Sequence, residues 1–341
     1  MQSHVITGIP QVRRISVPAR GAVSSPGVAS VSENFGDGLS LNALPNQASR
    51  QRLSSLAGLS ESLMGAPAPG HAHEEPNTAS TVNQLSPQEL DRERRRYSHI
   101  YDSLRTGQPQ TFRNSRGEQV TYALRANRDQ GDYRNYTLQI GRNQVEVNLA
   151  NRVDEATALG RISDYYSLQP EQLRGAVETI KVEMGANPRN SYWEKEYGMP
   201  GFQSAAVGGG GRITVFGGLP QLKERTFHHE FGHNIGNAVR IAQDRESRRA
   251  GTLSSDRALD RQTGDADSPN LPRGHSAARQ ADGRSVTSYG DRSIAEDFAE
   301  FYEEYLLAKG RGNNAVQQLK RNFPNRFALL EREVLSRRLS R

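Results

Sequence analysis

Five consecutive residues, His229-Glu230-Phe231-Gly232-His233, constrain this chain more than any other feature of its sequence. Histidines four positions apart lie on one face of a helix, about 6 Å from each other, where two imidazole nitrogens can converge on a tetrahedral Zn²⁺. Zinc lowers the pKa of water that it binds to about 7, and the neighbouring carboxylate of Glu230 can then take the proton. The sequence therefore predicts a helix that carries two metal ligands and a general base.

The helix around this motif is predicted to run from Glu224 to about Arg245, because its apolar residues follow a helical period. Those residues, Phe227, Phe231 and Ile235, form a stripe that would face a core. His228 precedes the motif and points away from the metal-binding face, so we interpret it as a structural residue. A purely structural histidine pair is the alternative to a metal site, and the choice depends on a third ligand.

A catalytic zinc site needs three protein ligands and one open position, so the third ligand decides the class of site. Metzincins place a histidine where this chain has Val239, which disfavours that class. An aspartate such as Asp256 or Asp260 would complete an aspzincin-type site. A glutamate on a following helix would complete a gluzincin-type site, and Glu296 meets that requirement.

A second amphipathic helix is predicted from Ser293 to about Ala308, with Gly310 capping its end. Its apolar stripe consists of Ile294, Phe298, Phe301, Tyr302 and Tyr305. Along one flank of the stripe lie Glu296, Glu300 and Glu303, whereas Asp297 and Glu304 are expected further round, toward solvent. Glu296 can therefore lie at the core boundary and face the histidines. A solvated acidic helix face is the alternative interpretation.

Two segments together resemble the catalytic domain of the anthrax lethal factor family. They are His-Glu-Phe-Gly-His at 229–233 and Ser-Tyr-Gly-x-x-x-x-Ala-Glu-x-Phe-Ala-Glu at 288–300, and the resemblance covers about residues 205–310. It implies a zinc metallopeptidase in which His229, His233 and Glu296 bind one Zn²⁺ and Glu230 is the general base. It also implies that Tyr289 donates its hydroxyl to the oxyanion of the tetrahedral intermediate.

The same resemblance matches Glu300 to the family's second acidic position, where we expect it to orient a ligand histidine. For the fold we expect the α+β class and a zincin-like arrangement. A small mixed sheet would support both the active-site helix and the second zinc-ligand helix. The segment between His233 and Tyr289 is longer than the family leads us to expect, and the relatives' large substrate-docking domains have no counterpart here.

Glycines at 208–211 and 217–218 flank a short, strongly β-prone segment, Arg212, Ile213, Thr214, Val215 and Phe216. We predict an edge strand just before the catalytic helix, because zinc peptidases commonly pair an extended protein substrate with such an edge. A phosphate-binding loop is the alternative, which is disfavoured because no Gly-Lys-Ser/Thr follows. Substrate selectivity would also depend on residues 190–206 and 246–285.

The first 85 residues differ in composition from the rest of the chain. They are rich in Ser, Ala, Gly, Pro and Asn, with too little apolar surface to offset the entropy of ordering. We predict a disordered leader that resembles the export region of type III secretion effectors and that a secretion chaperone would bind; a linker or propeptide is the alternative. Residues 86–341 are predicted to form the metallopeptidase domain, with an N-terminal helix and β-hairpin part (86–185) and a catalytic part (186–341).

Local patterns predict the other elements of that domain. A capping box of Ser86, Pro87 and Glu89 begins a helix that is expected to reach about Leu104. Strands are predicted at 110–114, 119–125, 136–149 with a turn at 141–143, and 179–184. Helices are predicted at 154–166, 169–174 and 316–335, the last with a break near Pro324. Residues 246–285 are predicted to be a polar loop.

Composition excludes several other classes of protein. The chain has no cysteine, which removes disulfides, cysteine-type zinc sites and thiol nucleophiles. Its net charge is +6, but the basic residues are scattered among acids without a nucleic-acid-binding signature, so no such partner is expected. The chain contains no run of about 18 apolar residues, so no membrane span is expected. Its N-terminus lacks the pattern of a Sec signal peptide.

These observations lead to one functional prediction and two alternatives. The chain is predicted to be a secreted, monomeric zinc metalloprotease, a virulence toxin of the type III effector kind that cuts a signalling protein in the host cell cytoplasm. The first alternative is a toxin peptidase released in interbacterial competition or outside a host. The second is a non-catalytic interaction module that a bound metal stabilises.

Overall fold

A seven-stranded mixed sheet organises residues 85–339, which the computed structural model of the protein describes. Its strands are β1 Gln110–Arg113, β2 Gln119–Ala126, β3 Tyr133–Ile140, β4 Asn143–Ala150, β5 Thr179–Val182, β6 Ala206–Gly209 and β7 Arg212–Val215. They lie in the order β1-β2-β3-β4-β5-β7-β6. The first four form an antiparallel meander, β4, β5 and β7 are parallel, and β6 is antiparallel to β7. The predicted leader, residues 1–85, lies outside the described residues except for Leu85.

Ten α-helices occur among the same residues. They are α1 Pro87–Arg96, α2 His99–Thr106, α3 Glu155–Ser167, α4 Asn190–Tyr197, α5 Glu224–Ala250, α6 Leu253–Thr263, α7 His275–Asp282, α8 Ile294–Arg311, α9 Asn313–Asn322 and α10 Pro324–Leu329. Short 3₁₀ turns lie at Glu171–Ala176, Leu219–Gln221 and Asp265–Asp267, and the last helical element is a π-helical turn at Leu330–Leu335. The fold is therefore of the predicted α+β class, although its sheet is larger than expected. None of these helices is both long and apolar enough to cross a bilayer.

The predicted first helix is two helices. The capping box is confirmed, because Ser86 Oγ accepts from the Glu89 N–H and the Glu89 carboxylate accepts from the Ser86 N–H. The expected continuation to Leu104 is wrong, because the chain bends after Arg96 to bury Tyr97. A Cβ on Gly160 of α3 would lie 2.1 Å from the Tyr97 ring, so this ring occupies the space of a side chain at 160.

The segment predicted to be a polar loop, 246–285, is mostly helical. Helix α5 continues to Ala250, and α6 and α7 follow. The pattern was missed because these helices bury charged groups in place of apolar ones: Asp260 is 2% exposed and pairs with Arg240 of α5 and with Arg273. Hydropathy alone therefore cannot identify their buried faces.

The two predicted C-terminal helices also need correction. Gly310 does not cap the second helix, because α8 continues to Arg311 and Gly312 caps it. The helix expected at 316–335 begins earlier, at Asn313, and is divided into α9, α10 and the π-helical turn. The break falls at Phe323 and Pro324, near the predicted position, because proline begins a helix more readily than it continues one.

Helix α5 packs against β6 and β7, whereas α8 packs chiefly against α5. Two glycines of α5 allow the close approach of α8. A Cβ on Gly232 would lie 3.0 Å from the Ala299 Cα, and one on Gly236 would lie 3.2 Å from the Phe298 ring. The predicted apolar stripes of both helices are in the core, with Phe227, Phe231, Ile235, Phe298, Phe301, Tyr302 and Tyr305 buried. This packing brings the motif of α5 next to the first turns of α8.

Candidate metal centre

Three predicted ligand side chains from α5 and α8 converge in the structure. His229 Nε2 lies 2.9 Å from Glu296 Oε2 and 3.2 Å from His233 Nε2, and His233 Nε2 lies 3.4 Å from Glu296 Oε2. Tetrahedral zinc with bonds of about 2.0–2.1 Å holds its donor atoms about 3.3–3.4 Å apart. The separations of 3.2 and 3.4 Å lie close to that value, whereas the 2.9 Å between His229 Nε2 and Glu296 Oε2 is a hydrogen-bond distance. The three donor atoms are therefore close enough together to hold one small cation after a small adjustment.

The first turn of α8 holds Glu296 in place. Ser293 caps this helix, and its Oγ accepts from the Glu296 N–H at 3.1 Å. The carboxylate is 8% exposed, so its position is set by packing as well as by the cap. His229 and His233 lie on the same face of α5, because an α-helix makes one turn every 3.6 residues.

The two ring nitrogens of His229 have different partners. Nδ1 lies 3.0 Å from Glu300 Oε1, and Glu300 Oε2 accepts from the Thr287 hydroxyl at 2.7 Å. When Nδ1 donates its proton to Glu300, Nε2 presents a lone pair to His233 and Glu296. Metal-binding histidines commonly have such a carboxylate behind them. The lone pairs of His229, His233 and Glu296 therefore face one another, and a cation between them could bind all three.

The electrostatics of the cluster favour positive charge among the donor atoms. Burial acts against a charged His229, yet hydrogen bonds to Glu296 and Glu300 raise the pKa of its imidazole well above the usual range. Burial likewise disfavours ionised Glu296, but His233 and His229 hold the pKa of that carboxyl well below its usual range. A proton or a metal ion can satisfy this arrangement.

Glu230 is buried beside these ligands but faces strand β6. Burial raises the pKa of its carboxyl, and a hydrogen bond from the Gly208 backbone N–H opposes that rise. A Cβ on Gly208 would lie 2.3 Å from the Glu230 carbonyl oxygen and 2.9 Å from its Oε2. Only glycine therefore fits at 208 while strand and helix stay this close.

The predicted edge strand is not at the edge. The segment Arg212, Ile213, Thr214, Val215 and Phe216 forms β7 as far as Val215, and β7 lies between β5 and β6. Strand β6 occupies the edge instead. The prediction was wrong because glycines 208–211 were interpreted as a flanking loop, whereas Gly208 and Gly209 end a strand. Gly210 and Gly211, with φ of 59° and 83°, make the tight turn into β7.

A buried asparagine, missed in the sequence, holds this hairpin on α5. Asn234 Oδ1 accepts from the Gly211 N–H at 2.8 Å. Its Nδ2 donates to the carbonyl of Arg212 at 2.9 Å and to that of Glu230 at 3.0 Å. Asn234 follows His233 directly, but only the tertiary structure shows what its amide contacts.

Two tyrosines border the metal ligands. The Tyr289 ring, as predicted near the site, lies 5.7 Å from the His229 ring in an edge-to-face arrangement. Burial, with Glu296 nearby, raises the pKa of Tyr289. Tyr197, on α4, was not predicted: its hydroxyl donates to Glu296 Oε1 at 3.0 Å. Its only sequence signal is a position inside 190–206, the segment expected to affect selectivity.

The other acidic candidates lie elsewhere or have other partners. Asp256 and Asp260, the aspzincin alternatives, both pair with Arg273. Asp297, expected to face solvent, is fully buried and accepts two hydrogen bonds from Arg326, at 2.6 and 2.8 Å. Glu304 is partly exposed and pairs with Arg225.

His228 and Glu303 complete the surroundings of the cluster. His228 is fully buried, and its Nδ1 lies 2.8 Å from Gln169 Nε2, away from the ligands. Glu303 lies 3.7 Å from His229 Nδ1, and burial together with Glu300 raises the pKa of its carboxyl to about 7. Glu303 therefore lies behind the His229 ring, whereas His228 faces Gln169 and Glu224.

Comparisons with known proteins add no assignment to this site. No protein-family model matches the chain, and no curated protein matches it.

Proposed function

We propose that this chain is a zinc-dependent endopeptidase of the zincin type, with a site resembling that of the anthrax lethal factor family. One observation supports this above all. Two imidazole nitrogens and a carboxylate oxygen converge within 3.4 Å, and a buried fourth group, Glu230, lies beside them without joining them. A site with only a structural metal would have no need of that additional carboxylate.

In this proposal His229, His233 and Glu296 hold one zinc ion. Bound zinc supplies Lewis-acid chemistry, because it polarises a carbonyl group and lowers the pKa of water. Glu300 keeps the His229 ring in the tautomer whose Nε2 is free of its proton. Tyr197 donates to the Glu296 oxygen that the histidines do not face, which leaves Oε2 for the metal.

Glu230 moves the proton. Its carboxylate takes a proton from the attacking water and later gives it to the leaving amine. Burial brings the pKa of Glu230 closer to neutrality, which suits a group that must both accept and release a proton. The Gly208 N–H, which contacts this carboxylate, fixes its direction.

Tyr289 stabilises the oxyanion that forms at the substrate carbonyl. Its raised pKa keeps the proton on the hydroxyl, so that the group donates a hydrogen bond. Preorganised donors of this kind contribute about 10²–10³-fold to rate in comparable sites.

An extended substrate would pair with β6. The Phe216 N–H donates to the Ala205 carbonyl on the β7 side, so alternate residues Ala206 and Gly208 direct their backbone groups outward. The Ala206 N–H and the Gly208 carbonyl then stand on the outer edge, next to Glu230. This placement moves the proposed substrate edge from β7 to β6.

The composition of residues 1–85 leads us to include secretion and the place of action in the proposal. We infer a secreted effector that acts on a signalling protein in a host cell. Proteomics of new protein N-termini in cells expressing the wild type or Glu230→Gln would identify the substrate.

The test of catalysis uses the full chain with added Zn²⁺ and a proteome-derived peptide library. Glu230→Gln is expected to lose about 10²–10⁴-fold in cleavage rate, because the general base is removed while the zinc ligands stay. Zinc content by metal analysis should equal that of the wild type. The control Glu246→Gln changes an exposed glutamate of the same helix, which pairs with Arg337, and should cleave normally. Cleavage by Glu230→Gln at the wild-type rate would refute the role of Glu230 as general base. No cleavage by the zinc-loaded wild type would refute the peptidase and leave the metal-stabilised module.

A further inference from the structure

Arg292 is an exposed arginine that lies on three aromatic rings. Its guanidinium carbon is 4.4 Å from the Tyr289 ring centre, 5.4 Å from that of Tyr197 and 5.6 Å from that of Phe202. Among the side chains that the structure describes, no carboxylate forms an ion pair with it. Asp291, its neighbour in sequence, points instead to Arg279, at 3.3 Å. The described carboxylates therefore leave the positive charge of Arg292 without an ion-pair partner.

The position of Arg292 places this charge at the edge of the metal centre. Tyr197 contacts the ligand Glu296, and Tyr289 contacts the ligand His229. The Arg292 guanidinium lies at most about 10 Å from the His229 imidazole, because it is 4.4 Å from the Tyr289 ring and that ring is 5.7 Å from the imidazole. That span equals about three residues of an extended chain, at about 3.3 Å per residue.

The rings give the guanidinium a fixed direction without using its hydrogen-bond donors. Stacking on aromatic faces restricts the side chain and leaves the five N–H groups at its rim. Such a planar fork matches a carboxylate, which it can bind through two parallel charge-assisted hydrogen bonds. Other arginines of the fold, such as Arg240 and Arg326, already use theirs on buried aspartates.

We propose that Arg292 is a specificity-determining residue that binds an aspartate or glutamate side chain of the substrate, within about three positions of the bond that is cut. This inference rests on the proposed function, because it assumes that an extended peptide passes the metal centre. An acidic substrate segment would also match the net charge of +6.

Trp193 offers a direct readout of binding. It is the single tryptophan of the chain, and its ring stacks on Tyr197 at 5.5 Å, on the platform that carries Arg292. The probes are two capped peptides with the same sequence, one with glutamate and one with glutamine at a single central position. Both are titrated into the full chain carrying Glu230→Gln, with Zn²⁺ present, and tryptophan fluorescence gives each Kd.

The glutamate peptide is expected to bind about tenfold more tightly than the glutamine peptide, as one charge-assisted contact would give. Arg292→Gln should reduce this ratio to about one. Arg284→Gln is the matched control, because Arg284 is also exposed and stacks on one ring, that of Phe323, away from the metal ligands. It should keep the tenfold ratio. Equal affinities in the parent, or a ratio that Arg292→Gln leaves intact, would overturn the proposal.

Cleavage profiles of the peptide library separate this inference from the proposed function. The wild type should enrich aspartate and glutamate within three positions of its cut sites, and Arg292→Gln should lose that enrichment. Cutting without any acidic preference would overturn the role of Arg292 and keep the peptidase. Selective binding of the glutamate peptide without any cleavage would overturn the peptidase and keep Arg292 only as a residue that binds an acidic side chain.

Discussion

At the scale of single residues, His229 is the side chain whose two ring nitrogens both have partners in the site. Its Nε2 faces two other donor atoms, while its Nδ1 faces Glu300. An imidazole can serve both sides only if its one proton stays on Nδ1, and the Glu300 carboxylate fixes it there. Thr287 in turn fixes that carboxylate. The proposed metal site therefore depends on Glu300, a residue outside the proposed ligand set.

Glu300→Ala tests this dependence. Loss of the carboxylate should weaken zinc binding by about 10–100-fold, because the His229 ring loses its orienting partner. Competition with a chelator of known affinity measures the change. Glu304→Ala, which alters a partly exposed glutamate of the same helix, is the control and should bind zinc as the wild type does. Equal zinc affinity in the two variants would contradict the role given to Glu300.

At the scale of elements, the site depends on how closely β6, α5 and α8 approach one another. Gly208 lets the edge strand contact Glu230, and Gly232 lets α8 lie against α5. Asn234 joins the β6–β7 turn to the helix. The ligands come from two helices, but a strand and a turn fix their direction.

Gly208→Ala should separate the strand from the helix. The added Cβ would lie 2.3 Å from the Glu230 carbonyl oxygen, so the backbone must move, at a cost of about 1–3 kcal/mol. Urea unfolding measures this loss, and cleavage of the peptide library should fall with it. Gly185→Ala is the control, since a Cβ there meets nothing within 4 Å, and it should unfold near the wild-type midpoint. A Gly208→Ala protein with wild-type stability and activity would contradict the close approach.

At the scale of the whole molecule, a buried charge network joins the C-terminal helices to the metal-site helix. The Arg326 side chain is fully buried and pairs with Asp297 of α8 and Asp282 of α7, and it also donates to the Arg284 carbonyl. Asp297 follows the ligand Glu296 directly. The position of the proposed ligand Glu296 therefore depends on a helix that begins at Pro324, far along the chain.

Arg326→Met should destabilise the fold by about 3–5 kcal/mol, because it leaves two buried carboxylates without their partner. Lys320→Met breaks an exposed ion pair with Glu331 and should cost less than about 1 kcal/mol. Urea unfolding of both variants makes the comparison. A similar small loss in the two would show that the buried network carries no more weight than a surface pair.

These same residues show how much of the fold and of the site can be predicted from the sequence. Helical spacing is a local rule, so it brings His229 and His233 together and places Glu296 on the flank of an amphipathic helix. Asp297 was assigned to solvent because its partner, Arg326, lies 29 residues away in sequence. Tyr197, Asn234 and the edge position of β6 were missed for the same reason. Each is defined by contacts between distant segments, which no local pattern encodes.

Zinc titration of the metal-free full chain, followed by calorimetry, addresses the metal centre itself. The donor geometry predicts one high-affinity Zn²⁺ per chain in the wild type. Glu296→Ala should lose most of that affinity, and the control Glu331→Ala, an exposed glutamate near the C-terminal end, should keep it. A wild-type chain that binds no zinc, or a Glu296→Ala chain that binds it as tightly as the wild type, would contradict the account.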